Sequence, residues 1–248
     1  MKDEFNNCAS YDFKNILFNN NYTFSSTDSD GNIIDYSLVE HCNNNKIGTY
    51  TLRNTNGYEN SIVLNNIILE ADYGEPLQGN VFKHGCFDIV IKAPTIIHNL
   101  FDIGCRNINL MSRDRIFLNK FGSSCDTINS NDRIEFSHNI FGNNCYEINM
   151  NGSYNVFEES CRGIEILSDY NEHNIFKYNC QQIYLNGSEN YNNIFEAFCY
   201  NIKLNNNCTN LRFGTNVERI VFNQSSDLNN IQFKSCCNNI TINNISTD

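Results

Sequence analysis

Residues 139–150 read Asn-Ile-Phe-Gly-Asn-Asn-Cys-Tyr-Glu-Ile-Asn-Met, and the same pattern returns along the chain as N-x-F-x-x-x-C-x-x-I-x-L. Seven copies keep the Asn, Phe and Cys, and they begin at Asn80, Asn99, Asn119, Asn139, Asn155, Asn174 and Asn193. Two weaker copies follow around Phe213 and Phe233, and Val217 replaces Cys in the first of them. Nine copies at a period of about 19 residues indicate a solenoid.

The offsets within the motif choose the type of solenoid. Apolar residues lie seven positions after each Phe and, in all copies but that of Phe121, nine positions after it, as on one face of a strand. No stretch keeps helical periodicity for ten residues, and leucine-rich repeats need a denser leucine pattern. The sequence therefore predicts an all-β fold, a single-stranded parallel β-helix (β-solenoid) of about nine coils of ~19 residues, with right-handed winding preferred.

Phe and Cys of the motif are predicted to form inward-facing structural columns. Their members are Phe101, Phe121, Phe141, Phe157, Phe176, Phe195, Cys105, Cys125, Cys145, Cys161, Cys180 and Cys199. The even spacing of the Cys residues favours buried, reduced thiols over disulfide pairs or a ladder of metal ligands. The Asn column leaves two interpretations open: an inward ladder of hydrogen bonds between coils, or a residue that caps a turn.

The chain divides into two regions by the regularity of its repeat. Residues 1–78 are predicted to form an N-terminal β cap with irregular first coils, with strands near 11–18, 47–52 and 61–69. Residues 79–248 hold the regular β-solenoid repeats. No comparable cover follows Ile242, so we expect either another chain or subunit at that end, or a longer fibre of which this chain is a fragment.

Composition narrows the classes of partner. A formal net charge of −11 argues against nucleic acid and anionic membranes, which attract clustered Lys and Arg. No apolar run is long enough to insert in a membrane, and residues 1–20 show no signal peptide. The 48 Asn among 248 residues favour many turns. We expect no cofactor.

Two groups of residues resemble metal sites without matching one. Residues 28–32 begin like a calcium loop but lack the later Gly and Glu of an EF-hand, which favours a turn. His98, His138 and His173 share one position of the repeat, yet one copy separates each from the next. That spacing is about 10 Å, so a surface turn is favoured and no metal site is predicted.

Catalytic chemistry has weak candidates. Glu158, Glu159 and Glu165 form the densest acidic group, and paired carboxylates about 5 to 9 Å apart can hydrolyse a glycan. Acids on a solvated outer face of an acidic protein are the simpler interpretation. The expectation is therefore a protein that is not an enzyme.

Outward aromatic residues are the stronger candidates for a ligand site. Phe87, Tyr146 and Tyr200 each follow the motif Cys, and Tyr184 follows the motif Ile. Rings held on a rigid face can stack on sugars or anchor a protein partner. These four residues are the predicted ligand-binding positions.

The copy Asn139-Ile140-Phe141-Gly142-Asn143-Asn144-Cys145 resembles the solenoid repeats of tail or fibre proteins of Bacteroidetes phages and prophages, including the crAss-like group. The segments 9–16 and 64–67 are similar to the leader that precedes those repeats. Gly follows Phe only at 122, 142 and 214 here, whereas the family copies are more uniform. The resemblance covers most of the chain and is more specific for architecture than for activity.

The resemblance implies a virion structural or adhesion protein, a phage tail or fibre appendage made in the host cytoplasm. Its expected partners are a host cell-surface glycan or receptor, other virion proteins, and copies of itself, with a trimer favoured. The alternative is a polysaccharide-degrading enzyme (depolymerase) on the same scaffold. A purely architectural spacer is the third hypothesis.

Overall fold

The computed structural model describes the strands of residues 22–70 and, with side chains, residues 76–82, 84–130, 134–223 and 228–243. These residues contain strands and turns and no helix, and hence no helix that could cross a membrane. Parallel strands stack coil upon coil, which confirms the predicted β-solenoid. The expected strand at 11–18 and the loop at 28–32 lie outside the described residues.

Three sheets follow the solenoid axis, and the first, here called the Ile sheet, holds the motif Ile residues. Its strands are β1 (Tyr22–Thr27), β2 (Ile33–Ser37), β6 (Leu64–Glu70), β7 (Pro76–Gln78), β9 (Phe87–Ile97), β11 (Arg106–Phe117), β13 (Asp126–Ser130), β14 (Glu135–Ser137), β16 (Tyr146–Met150), β18 (Arg162–Ile166), β21 (Gln181–Leu185), β24 (Tyr200–Asn205), β27 (Glu218–Asn223) and β30 (Asn238–Asn243).

The second sheet, the Phe sheet, consists of two-residue strands that carry the motif Phe. They are β3 (Lys46–Ile47), β8 (Val81–Phe82), β10 (Leu100–Phe101), β12 (Lys120–Phe121), β15 (Ile140–Phe141), β17 (Val156–Phe157), β20 (Ile175–Phe176), β23 (Ile194–Phe195), β26 (Arg212–Phe213) and β29 (Gln232–Phe233). The third sheet contains β19 (Tyr170–Glu172), β22 (Glu189–Tyr191), β25 (Asn207–Thr209) and β28 (Leu228–Asn229).

Register between coils is set by the motif. Each motif Phe pairs with the Phe of the next coil, as Phe141 does with Phe157, and each motif Ile with the next Ile. From Phe82 to Phe233 the chain makes eight full turns, so the nine motif copies predicted from the sequence all belong to the stack. The right-handed winding stays a prediction.

Left-handed backbone recurs at three positions in most coils and explains the Asn content. In one coil these are His138 before the motif Asn, Asn144 before the Cys, and Glu147 two residues after it, with φ of 56°, 60° and 53°. Left-handed φ bends the chain sharply, and Asn tolerates it better than other residues with a side chain. Even Leu118 and Phe198 adopt it, at φ 55° and 62°.

The predicted Phe and Cys columns are confirmed as the core. Phe rings of successive coils stack nearly parallel from Phe82 to Phe233, with centroids 4.6 to 4.9 Å apart. The Cys residues of the motif from Cys86 to Cys199 are buried, and their thiols are reduced. Their thiols donate to carbonyls of the preceding coil, as Cys145 Sγ does to Gly122 O at 3.1 Å.

Asn residues of the motif form an inward ladder, which settles the question that the sequence left open. All seven, from Asn80 to Asn193, are at most 1% exposed. Asn139 Oδ1 accepts from the backbone N and the Nδ2 of Asn119, at 2.9 and 3.1 Å. Its Nδ2 donates to Asn155 Oδ1, to Ile116 O and to Ser137 O, at 3.2, 3.2 and 2.9 Å. Each side chain thus links two coils and holds its own corner.

Gly152 allows the chain to pass close to the backbone of Phe136 in the coil before it. Phe136 is fully buried and packs on Phe121 and Phe141, with centroids 6.5 and 6.0 Å apart. A Cβ at Gly152 would lie 2.0 Å from Phe136 O, and the φ of Gly152 is 134°. Because only glycine adopts that conformation readily, the backbone can close over Phe136.

The two ends of the described stack differ. Near the N-terminus β1 pairs antiparallel with β2 and with β6, and β4 (Tyr50–Arg53) pairs antiparallel with β5 (Glu59–Ile62). The strands expected near 47–52 and 61–69 are thus each found as two shorter ones. At the other end, the inward residues Phe233, Ile240 and Ile242 are 40%, 41% and 53% exposed.

Candidate functional site

Three of the four predicted ligand residues occupy one outward column of the Ile sheet. The column runs in register through Phe87, Arg106, Asp126, Tyr146, Arg162, Gln181 and Tyr200. Three coils therefore separate Phe87 from Tyr146 and Tyr146 from Tyr200, about 14 Å each at the strand spacing. The structure does not bring these rings together into a single site.

An arginine covers each ring of that column. The guanidinium carbon of Arg106 lies 5.0 Å from the ring centroid of Phe87, and that of Arg219 lies 4.9 Å from Tyr200. Both distances are within the range of cation–π attraction. The arginine comes from the next coil each time, so ring orientation is fixed by the stack.

Tyr146 is held most tightly. Arg162 lies 5.3 Å from its ring centroid, and its hydroxyl donates to Asp126 Oδ2 at 2.6 Å. This hydrogen bond to Asp126 raises the pKa of Tyr146. Because Arg162 covers one face of the ring and Asp126 binds the hydroxyl, Tyr146 stabilises the contacts between coils and leaves little of its side chain for a ligand.

Tyr184 lines a cleft of about 310 Å³ on the outer face of the Ile sheet. Glu165 and Lys203 flank it in register, one coil before and one after. Gly163 leaves space for the cleft, because glycine has no side chain to fill this position on the outer face of the sheet. Neutral amides complete the lining, namely Asn149, Gln182 and Asn201.

A second cleft of about 330 Å³ lies between Phe198 and Tyr200. Its other lining residues are Asn179, Gln181, Cys199, Asn216 and Glu218. Phe198 is 43% exposed, and its ring centroid lies 5.1 Å from that of Tyr178. Gln181 of this cleft directly precedes Gln182 of the first cleft, so the two adjoin along one strand.

We call the surface formed by these two clefts the amide–aromatic face. It contains the predicted Tyr184 and Tyr200 and also Phe198, which was not predicted from the sequence. Tyr178 lies beside Phe198 at the edge of this face. A signal was present in the sequence: Phe198 directly precedes Cys199 and Tyr178 lies two residues before Cys180, in a turn where most copies carry small or polar residues. Phe87 and Tyr146 lie outside this face.

The weak catalytic candidates point to different surfaces. Both carboxylate oxygens of Glu158 accept from Lys177 Nζ at 2.9 Å, and this pairing raises the pKa of Lys177. Glu165 instead belongs to the Ile sheet beside Tyr184. Glu159 is exposed at the turn between the two sheets. Glu158 and Glu165 therefore lie at different sheets.

The histidine column is an outer row of stacked rings. Tyr154 lies between His138 and His173, with centroids 5.1 and 4.6 Å away. The two His rings are thus separated by another ring. Among the described residues no group of three or more His, Cys, Asp or Glu could hold a metal ion.

Comparison of the chain with protein-family models, with curated proteins and with solved structures found no significant match.

Proposed function

We propose that this protein is a non-enzymatic adhesion protein, a virion appendage whose rigid solenoid binds a host-surface glycan or receptor at the amide–aromatic face. The observation that supports this most is the pair of adjoining clefts, each combining an aromatic ring with neutral amides. Virion origin rests on the resemblance of the repeat to phage tail and fibre proteins.

The chemistry of the face suits a sugar. Aromatic rings stack on the apolar side of a sugar, and each amide offers both a donor and an acceptor to hydroxyl groups. Asn205 Nδ2 donates to the Tyr184 hydroxyl at 2.7 Å, which fixes the ring before any ligand arrives. Preorganisation of this kind lowers the entropic cost of binding.

A glycan array with matched variants tests the proposal. Tyr184→Ala and Phe198→Ala should each weaken binding by about tenfold, because the first removes the ring of one cleft and the second removes one of the two rings of the other. Tyr170→Ala is the control, since Tyr170 is 63% exposed and lies on the third sheet. Equal effects of all three substitutions, or no glycan bound by the parent protein, would refute the proposed site.

The size of the products distinguishes the depolymerase alternative from a protein that only binds the polysaccharide. Incubation with host polysaccharide followed by size-exclusion chromatography yields oligosaccharides only if the protein cleaves. The divergent positions of Glu158 and Glu165 favour binding over hydrolysis. A purely architectural spacer would show neither binding nor cleavage, and light scattering would test the trimer expected from the resemblance.

A further inference from the structure

A third cleft, of about 410 Å³, opens on the Phe sheet at the coils that begin with Asn193 and Leu211. It is lined by His173, Asn192, Ile194, Asn210, Arg212, Asn230 and Gln232. We propose that this cleft, with Arg212 at its centre, binds the anionic group of an acidic glycan, a carboxylate or a phosphate. The inference rests on the proposed function, because it names the class of glycan.

Arg212 differs from the other arginines whose side chains the structure describes. Arg106, Arg115, Arg162 and Arg219 each lie over an aromatic ring at 4.6 to 5.3 Å, and Arg113 also has a contact. The Arg212 guanidinium has no hydrogen bond, ion pair or ring contact with any described residue. Its five donors are therefore open to a ligand.

The two residues paired with Arg212 in the Phe sheet carry no charge, and the Asn210 amide provides further donors. In register, Ile194 lies below Arg212 and Gln232 above it, and neither is acidic. The Glu172 carboxylate lies at the His173 side of the cleft, with its Oε2 3.5 Å from His173 Nδ1. Asn210 Oδ1 accepts from Asn230 Nδ2 at 2.7 Å, so the Asn210 oxygen is engaged while its own amide NH₂ has no acceptor among the described residues. A guanidinium beside an amide donor suits an oxyanion, which accepts from both.

The outward column of the Phe sheet that contains Arg212 is mostly apolar in the earlier coils. Earlier coils carry Val81, Leu100, Ile140, Val156 and Ile175 at the same outward position of the Phe sheet. The overall charge of −11 repels anions at long range. Retention of an anionic ligand here thus depends on the direct contacts of Arg212.

Lys120 provides a matched control. It occupies the same outward column, between Leu100 and Ile140, and so carries the same charge without the amide-lined cleft. If charge alone attracted an anion, Arg212→Gln and Lys120→Gln would weaken binding alike. If the cleft matters, only Arg212→Gln does so.

The experiment is calorimetric titration of the full chain with three probes: hexagalacturonate, its carboxyl-reduced neutral form, and a glycerol-phosphate oligomer. We expect the parent to bind one of the anionic probes and not the neutral one. Arg212→Gln should weaken that binding at least about tenfold, since hydrogen bonds to charged groups are the stronger ones. Asn210→Gly, which keeps the left-handed backbone, should weaken it less. Lys120→Gln should leave it unchanged.

The outcomes separate the two proposals. Preference for the carboxylate or for the phosphate probe identifies the anion. No binding of either anionic probe, equal binding of the neutral one, or equal effects of Arg212→Gln and Lys120→Gln would overturn this inference. Loss of neutral-glycan binding in Tyr184→Ala would then still support the proposed function. Conversely, an effect of Arg212→Gln with none of Tyr184→Ala would refute the amide–aromatic face and retain this cleft.

Discussion

Replacing Asn139 by Ala tests whether the inward Asn ladder stabilises the solenoid. The substitution deprives the buried backbone N–H of Asn119 of its acceptor and removes the donor to Ile116 O and Ser137 O. A buried polar group left without a partner costs about 1–3 kcal/mol. Ser137 O also accepts from Leu118 N, so two backbone groups lose a partner, the Asn119 N–H and Ile116 O. The free energy of unfolding should therefore fall by about 2–6 kcal/mol.

Asn149→Ala is the matched control, in the same coil but on the outer face. Asn149 Nδ2 donates to Asn129 Oδ1 at 3.1 Å, and Asn149 is only half-buried, so water can replace that bond. Its loss should cost less than about 1 kcal/mol. The pair therefore compares one residue type in two environments within one coil.

Urea unfolding and amide hydrogen exchange measure the two effects. Asn139→Ala should lower the urea midpoint strongly and speed exchange of the Asn119 amide, while Asn149→Ala should change neither appreciably. If Asn139→Ala cost less than about 1 kcal/mol, or if both variants were equally destabilised, the ladder would not be the stabilising element described here.

Three further predictions follow from other parts of the stack. Alkylation should modify the exposed Cys236 early and Cys125 and Cys161 last, as read by peptide mass mapping. Hydrogen bonds with neighbouring thiols, and then burial, raise the pKa of Cys125 and of Cys161, which slows their reaction. Uniform labelling would contradict the inward Cys column. Gly152→Ala should lower the thermal midpoint far more than Gly163→Ala. A Cβ at residue 152 would lie 2.0 Å from Phe136 O, whereas a Cβ at residue 163 would lie 3.4 Å from its nearest neighbour, Glu147 N. Equal midpoints of the two variants would refute the clash. The hydrogen bond to Asp126 raises the pKa of Tyr146 above its ordinary value of 10.0. The contribution of this bond to stability is therefore complete below pH 10 and is lost as the pH rises through the raised pKa. In a spectroscopic titration Asp126→Asn should bring one tyrosine back toward its ordinary pKa, and an unchanged titration curve would count against the contact.

The core was predictable because its residues repeat. Phe, Cys and Ile recur at the same offsets in successive copies, so one motif predicts every inward column. The sequence left the Asn column open because an amide suits both a ladder and a turn cap. In the structure Asn139 serves both purposes, since its Nδ2 bonds to the next coil and to its own corner at Ser137 O.

The amide–aromatic face was only half predicted, because it depends on outward residues that do not repeat. Tyr184 and Tyr200 were identified one by one, but their partners come from other coils, such as Lys203 beside Tyr184. Phe198 was missed because an aromatic residue is unusual at a left-handed position. The separation of Tyr146 from Tyr200 could be predicted, because it follows from the register of the coils alone. The arginine over each ring could not, because it depends on the side-chain conformations of adjacent coils.

The Asn ladder also gives the solenoid a direction. From Asn80 to Asn174, each of the six carboxamides donates from its Nδ2 to the Oδ1 of the motif Asn in the following coil, and the last acceptor is Asn193. The side-chain dipoles therefore align head to tail parallel to the axis, and aligned hydrogen bonds polarise one another. A coil placed upside down would set oxygen against oxygen, so the ladder disfavours inverted stacking of coils as the solenoid forms.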